Sequence, residues 1–238
     1  MKRKLLLISN STLHGSGYLD HCADEISKFL KDVKEVLFIP YARPSGMSHD
    51  EYSRIAKKRF EKIGYKLTGI HKYKIPKDAV KNAEAIFIGG GNTFVLLNEL
   101  YNADIMEEIR KKVKNGMPYI GTSAGSNVAC KSIKTTNDMP IVYPPSFEAL
   151  NLVPFNLNPH FLDPDPKSTH KGETRETRIN EFHFFNSDYV VGLREGSMLH
   201  IVDDKIKLKG NTGARIFKKN EKPKEFKPGD SLNFLIRT

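Results

Sequence analysis

An α/β fold built on a mostly parallel sheet is what this sequence predicts, and three observations carry the prediction. The first half alternates short apolar runs with amphipathic stretches, as strands joined by crossover helices do. Two of the apolar runs end in glycine-rich junctions, Gly89-Gly90-Gly91 and Gly121-Thr122-Ser123-Ala124-Gly125. Beyond Met198 short alternating segments surround Asp203-Asp204, Gly210 and Gly229-Asp230, which predicts C-terminal β-hairpins.

Taken in order, Leu5 to Ser9 reads as the first strand. Tyr18 to Leu30 follows as a helix with Ala23, Ile26, Phe29 and Leu30 on one face. Val36 to Ile39 is a second strand, ended by Pro40, and Ser48 or Asp50 caps a helix reaching about Ile63. Tyr65 to Ile70 and Ala85 to Ile88 are further strands, and two helical segments between Phe94 and Asn115 divide near Asn102-Ala103-Asp104. Pro118 to Gly121 is a short buried strand, followed by a helix over Ala124 to Cys130. Prolines crowd the stretch from Pro140 to Pro166, which predicts long loops there. Thr174 to Phe185 is a helix and Tyr189 to Leu193 a strand. No repeat or low-complexity linker interrupts the chain, so its 238 residues are read as one domain.

Composition narrows the class. Hydrophobic residues at 39% and charged residues at 28% are those of an ordinary globular protein. The two cysteines, Cys22 and Cys130, stand far apart, which argues against a disulfide framework and a structural zinc site. The opening Met1-Lys2-Arg3-Lys4 and its apolar run stop at Ser9-Asn10-Ser11-Thr12, too early for a signal peptide, and no stretch reaches membrane-spanning length. A cytoplasmic protein without a membrane partner is therefore expected. The net charge of +10 raises nucleic acid as a partner. The basic residues are interspersed with acidic ones even in Lys218 to Lys227, and no nucleic-acid motif accompanies them, so a solvated lysine-rich surface is expected instead.

Gly121-Thr122-Ser123-Ala124-Gly125 fits the nucleophile elbow G-x-S-x-G, with a strand before and a helix after. Small residues two positions either side of the serine let strand and helix approach closely, so Ser123 is presented on a sharp turn. Gly89-Gly90-Gly91-Asn92-Thr93-Phe94 lacks the third glycine of a dinucleotide fingerprint and the lysine of a P-loop. An N–H from Gly90 or Gly91, paired with that of Ala124, can form an oxyanion hole.

A serine nucleophile needs a base. His160, in Asn156-Leu157-Asn158-Pro159-His160-Phe161, is favoured over His170, His183 and His200 because it follows a strand-like run within the proline-rich loops. The histidines show no metal-ligand spacing, so no metal is expected. Glu195, after the strand Val190-Val191-Gly192-Leu193, and Asp138, in the loop after the elbow, compete as the acid that orients the histidine. Arg175 and Arg178 stand one helical turn apart; such a run is usually a solvated face, but a guanidinium there can grip a substrate carboxylate.

These blocks together, with Thr135-Thr136-Asn137-Asp138-Met139-Pro140, His170-Lys171-Gly172-Glu173-Thr174-Arg175 and Gly192-Leu193-Arg194-Glu195-Gly196, resemble peptidase E, the α-aspartyl dipeptidases. The resemblance spans about Ile86 to Gly196. It implies a class I glutamine amidotransferase-like, flavodoxin-like sheet with helices on both faces, serine standing where those enzymes have cysteine. It implies hydrolysis of small peptides with N-terminal aspartate, with no cofactor. Carried over, Ser123 is the nucleophile, His160 the base and Glu195 the acid, with Asp138 the alternative. The amides of Gly91 and Ala124 line the oxyanion hole, while Asn92, Thr93 and Arg175 bind the aspartyl group. Thr122, where some relatives have an aromatic residue, and Ser126 bear on the breadth of the pocket. The competing readings are a cyanophycinase-like β-aspartyl peptidase and an inactive binding protein on the same scaffold; a homodimer stays open.

Overall fold

Runs of leucine, isoleucine and phenylalanine become the interior of a sheet flanked by helices. The computed structural model describes residues 2–165, 167, 169 and 171–236. In chain order the first half comprises β1 (Lys2–Ile8), α1 (Ala23–Leu30), β2 (Glu35–Ile39), α2 (His49–Lys62), β3 (Lys66–Gly69), α3 (Pro76–Asn82), β4 (Ala85–Ile88), α4 (Thr93–Asn102), α5 (Met106–Lys114), β5 (Asn115–Thr122) and the one-turn α6 (Ala124–Asn127). The second half adds β6 (Asn156–Pro159), α7 (Arg175–Phe185), β7 (Val190–Leu193), β8 (Ser197–Val202), β9 (Lys205–Gly210), β10 (Ala214–Phe217) and β11 (Lys224–Phe226).

The main sheet has the order β3-β2-β4-β5-β1-β8-β9. Its first five strands are parallel, β8 runs antiparallel to β1, and β9 runs antiparallel to β8. With β1 standing in the place of a fifth strand, the parallel part has the flavodoxin-like order. Alternation along each strand divides the core between the two faces. Leu6, Ile8, Val36, Phe38 and Phe87 pack with Ile26 and Phe29 of α1 and Tyr52 and Phe60 of α2. Leu5, Leu7, Leu37, Ile39, Ile86 and Ile88 pack with Leu96, Leu97 and Leu100 of α4 and Ile109 and Val113 of α5. Helices thus cover both faces, as the resemblance implied.

A second sheet has the order β11-β10-β7-β6, with β6 and β7 parallel. Ser9 joins it to the main sheet: its amide donates to the Ser197 carbonyl at 3.0 Å and its Oγ to the Leu193 carbonyl at 2.8 Å. The C-terminal ends of β1 and β7 are thereby brought together.

Several element ends differ from the sequence expectation, each for a local reason. The first helix begins at Ala23 rather than Tyr18, because Leu19 takes a left-handed conformation (φ 58°) and a 3₁₀ turn occupies Asp20–Cys22. Ser48, not Asp50, caps α2 in a reciprocal pair with Glu51. The helix after Ser123 stops at Asn127 instead of Cys130. The carbonyls of Val128, Ala129, Cys130 and Lys131 accept instead from the amides of Leu150, Leu152, Asn151 and Ala149, so the returning chain takes the place of further helical turns. The hairpin at Asp203-Asp204 forms as expected, but Gly210 marks the crossing from one sheet to the other, and Gly229-Asp230 bonds alongside Leu208 rather than turning a hairpin. The hairpin of the second sheet is β10–β11, turned through 218–223. There Lys218 and Lys224 both pair with Glu221, as expected of a solvated basic stretch. Among the described residues no helix is long and apolar enough to cross a membrane.

Candidate active site

The C-terminal ends of β1, β4, β5, β6 and β7 place Ser9, Gly90, Ser123, His160 and Glu195 around one crevice, the edge where open parallel sheets bind ligands. Ser123 leaves β5 with φ 50° and ψ −110°, a conformation that costs a non-glycine residue about 1–3 kcal/mol. Its surroundings hold it there. Its amide donates to the Ile8 carbonyl at 3.0 Å, and its carbonyl accepts from the amides of Ser126 and Asn127 at 2.9 Å each. The two glycines of the elbow are needed for close approach: a Cβ on Gly121 would overlap the Gly125 carbonyl, and one on Gly125 the Ile88 carbonyl. Ser126 is fully buried and bonds the carbonyls of Ile8 and Gly121 at 2.7 and 2.8 Å, so it braces the elbow rather than lining a pocket. Thr122 is likewise buried.

His160 also has a positive φ, 53°, and its amide donates to Ser9 Oγ at 2.9 Å. Its imidazole lies between the two groups a base needs. Nε2 is 3.0 Å from Ser123 Oγ, and Nδ1 is 2.6 Å from Glu195 Oε1. With the Nδ1 proton donated to Glu195, Nε2 keeps its lone pair for the serine hydroxyl. The His160 and Glu195 side chains are 41% and 46% exposed, so both remain open to the crevice.

The other histidines have different surroundings. The His183 ring, on α7, bonds the Asn186 carbonyl through Nδ1 at 3.3 Å, and that of His200, on β8, meets Phe29 edge-on. His170 lies outside the described residues. Asp138 faces α4: its Oδ2 accepts from the Thr93 amide at 2.8 Å, Thr93 Oγ1 at 2.5 Å and Thr136 Oγ1 at 3.1 Å. Asn92 caps α4 by accepting from the Val95 amide at 3.1 Å, and donates to the Met139 carbonyl at 2.9 Å. Asn92 and Thr93 thus moor the 136–139 loop to α4, a task their sequence context did not reveal.

Gly90 packs against Ser123, since a Cβ there would stand 3.1 Å from Ser123 Cβ. Gly91, at φ 146°, lies so close to the Ala42 carbonyl that no side chain fits. Among the described residues no acceptor is bonded to the amides of Gly91 and Ala124. Arg175 opens α7. Burial, then the neighbouring Arg178, lowers its pKa, while Asp138 opposes the shift. A cavity of about 430 Å³ between the loop after His160 and the start of α7 is lined by Leu162, Asp163, Glu173, Arg175 and Arg178 among others.

Sequence reasoning missed Ser9. Its signal is a polar residue at the carboxyl end of a central strand, where the sheet edge binds rather than packs.

The model of peptidase family S51 matches residues 5–209. A probable alpha-aspartyl dipeptidase of Drosophila melanogaster is 47% identical, covering 99% of this chain and 98% of its own. A peptidase E of Streptomyces coelicolor is also 47% identical, covering 98% of this chain and 94% of its own. Among solved structures, a peptidase from an acI-B1 actinobacterium superposes with a TM-score of 0.74 over 98% of this chain and 97% of that one, at 19% identity.

Proposed function

The chain belongs to peptidase family S51, and from that premise we propose that it is a serine hydrolase of dipeptides and short peptides that begin with aspartate. The observation that carries the reading is the single imidazole of His160 spanning Ser123 Oγ and Glu195 Oε1 at 3.0 and 2.6 Å. A serine on a strained turn, a histidine bonded to it and a carboxylate behind the histidine make the arrangement that activates a hydroxyl.

Ser123 Oγ attacks the peptide carbonyl carbon while its proton passes to His160 Nε2. The carbonyl electron pair moves onto oxygen, where the amides of Gly91 and Ala124 donate to it. The tetrahedral centre collapses, the C–N bond breaks, and the Nε2 proton goes to the departing amine. Water then attacks the aspartyl ester, His160 takes its proton, and the acid is released as Ser123 Oγ recovers that proton. Glu195 keeps Nδ1 protonated and stabilises the imidazolium formed in each half-reaction.

Selectivity for aspartate is assigned to Arg175. Among the described residues no carboxylate forms an ion pair with its guanidinium, and partial burial already disfavours its charge. A substrate carboxylate restores the missing partner, and a neutral isostere leaves the cation unpaired, a defect that discriminates strongly. Asn92 and Thr93 contribute by holding the adjoining loop. The two free, buried cysteines suit a reducing compartment such as the cytoplasm.

The test is hydrolysis of Asp-Leu beside β-Asp-Leu, Glu-Leu and Asn-Leu, with Ser123→Ala as control. Cleavage of Asp-Leu alone, reduced about 10⁴-fold or more in the control, is the expected result. Cleavage of β-Asp-Leu instead would move the reading to β-aspartyl linkages. No cleavage of any of them by folded protein would leave a binding protein on this scaffold.

A further inference from the structure

Arg194 stands beside Glu195 in the chain, and its guanidinium is committed on two sides. Nε and Nη2 meet Asp163 Oδ2 and Oδ1 at 2.7 Å each, a bidentate pair with the loop that follows His160. Nη1 and Nη2 meet Glu225 of β11 at 2.9 and 3.2 Å. The chain of charge continues from there. Arg215 of β10 meets Glu225 Oε1 at 3.4 Å and Glu176 Oε2 at 2.9 Å, and Glu176 lies in the first turn of α7, directly after Arg175.

An aromatic bed underlies both arginines. The Arg194 guanidinium lies 5.8 Å from the Phe161 ring and that of Arg215 5.8 Å from the Phe217 ring, while the two rings are 5.6 Å apart. Phe161 follows His160 directly, and Phe217 belongs to β10. Both are buried, in a small core shared with Ile179 of α7 and Val190 of β7. A Cβ on Gly192 would strike the Phe161 ring at 2.6 Å, so that glycine lets the His160 loop settle onto β7.

Solvated ion pairs usually contribute little. This one differs in form: Arg194 is only 21% exposed, is bidentate to Asp163, and is held between two carboxylates over a ring. Those bonds raise its pKa above the ordinary arginine value, and the Arg194 contact lowers that of Asp163, so the pair is ionised. His160 and Glu195 reside on separate loops with half-exposed side chains. The Asp163–Arg194 pair ties the chain three residues past His160 to the chain one residue before Glu195.

We propose that Arg194 is a positioning residue: its clamp on Asp163 sets the His160–Glu195 register, and the branch through Glu225, Arg215 and Glu176 carries the same fixation to the turn of α7 that bears Arg175. This extends the serine-hydrolase reading above. The two ends of the network therefore act on different kinetic constants. The Arg194–Asp163 end acts on kcat through the imidazole, and the Arg215–Glu176 end acts on KM through the arginine that receives the substrate carboxylate.

The experiment measures kcat and KM for Asp-Leu in Arg194→Met, Arg194→Lys, Asp163→Asn and Glu176→Gln, with crystal structures of the parent, Arg194→Met and Asp163→Asn. The expected result is a fall of about 10- to 100-fold in kcat for Arg194→Met and Asp163→Asn, with KM within about threefold in Asp163→Asn, which leaves the branch to Glu176 in place. Partial recovery is expected in Arg194→Lys, and in Glu176→Gln a rise in KM of roughly tenfold with kcat little changed. The structures are expected to show His160 Nδ1 withdrawn from Glu195. Asp163 is half-exposed, so its variant keeps the test open if Arg194→Met fails to fold. An unchanged kcat in Asp163→Asn, with the His160–Glu195 bond intact, overturns the inference. If the parent cleaves no peptide, the aspartyl-peptidase reading falls, and the crystallographic distance alone decides whether Arg194 positions the pair.

Discussion

Ser9 holds His160 by its backbone. The serine hydroxyl accepts from the His160 amide at 2.9 Å and donates to the Leu193 carbonyl at 2.8 Å, so one buried side chain spans the ends of β6 and β7 from the end of β1. It fixes the left-handed backbone from which the imidazole projects, and it does so two residues from Glu195. Ser9→Ala leaves the His160 amide without its partner in a closed space, and the Leu193 carbonyl with the Phe161 amide at 3.2 Å. Expected are a loss of about 1–3 kcal/mol in urea unfolding and a fall in kcat of about tenfold at nearly constant KM. A variant as stable and active as the parent would show the bridge to be incidental.

Glu195 and Asp138 are separated by the bonds they make. Glu195 faces His160 at 2.6 Å, and Asp138 accepts three bonds from Thr93 and Thr136. Glu195→Gln replaces an acceptor with a group that can present a donor to Nδ1 and favour the wrong tautomer. The expected loss in kcat is about 10³–10⁴-fold. Asp138→Asn is expected to lower stability by about 1–2 kcal/mol and kcat far less, by loosening the mooring of the 136–139 loop. Equal kcat losses in the two variants would contradict this division of roles.

The glycines around Ser123 are constrained unequally. An alanine at 125 meets the Ile88 carbonyl of a fully buried strand, whereas one at 90 meets Ser123 Cβ at 3.1 Å and needs a shift of a few tenths of an ångström. Gly125→Ala is expected to cost at least about 3 kcal/mol and to give little folded protein, as overpacking against backbone does. Gly90→Ala is expected to fold within about 1 kcal/mol of the parent but to lose activity, because its methyl group displaces Ser123, the proposed nucleophile. Thermal unfolding and Asp-Leu turnover of the two variants measure both effects.

Four histidines make stability depend on pH in one direction. His21, His49, His183 and His200 are all shifted below their ordinary value, in each case chiefly by burial. The unfolded chain therefore binds protons that the folded chain refuses. Their contribution is fully present above the unfolded value of about 6.5 and is lost as pH falls through the lower folded values. The urea midpoint is expected to drop between pH 8 and pH 5.5, and His200→Gln to flatten that drop. A midpoint unchanged over this interval would falsify the account.

Much of the site was legible in the sequence because its signals are local. The elbow needs small residues at 121 and 125, and the reason appears as contacts with Gly125 and Ile88. The Gly89-Gly90-Gly91 junction needs a backbone without side chains, and Gly91 at φ 146° beside Ala42 shows why. Asn92 and Thr93 were expected to bind the aspartyl group, but their bonds were not legible, since the partners Met139 and Asp138 are about 45 positions away. The over-long helix after Ser123 has a similar cause, because residues 149–152 that take up its carbonyls carry no local sign of doing so.

The sequence by itself determined the alternation of strands and helices, the strand–turn–helix presentation of Ser123 and the short set of residues able to serve it. Each follows from periodicity or from steric demands between neighbours in the chain. Only the tertiary structure decided that Glu195 rather than Asp138 faces His160, that Ser9 bridges the two sheets, and that Arg194 joins the loops of the imidazole and its carboxylate. Those relations depend on distances between segments 30 to 185 residues apart, which packing of the sheets fixes and no local pattern encodes.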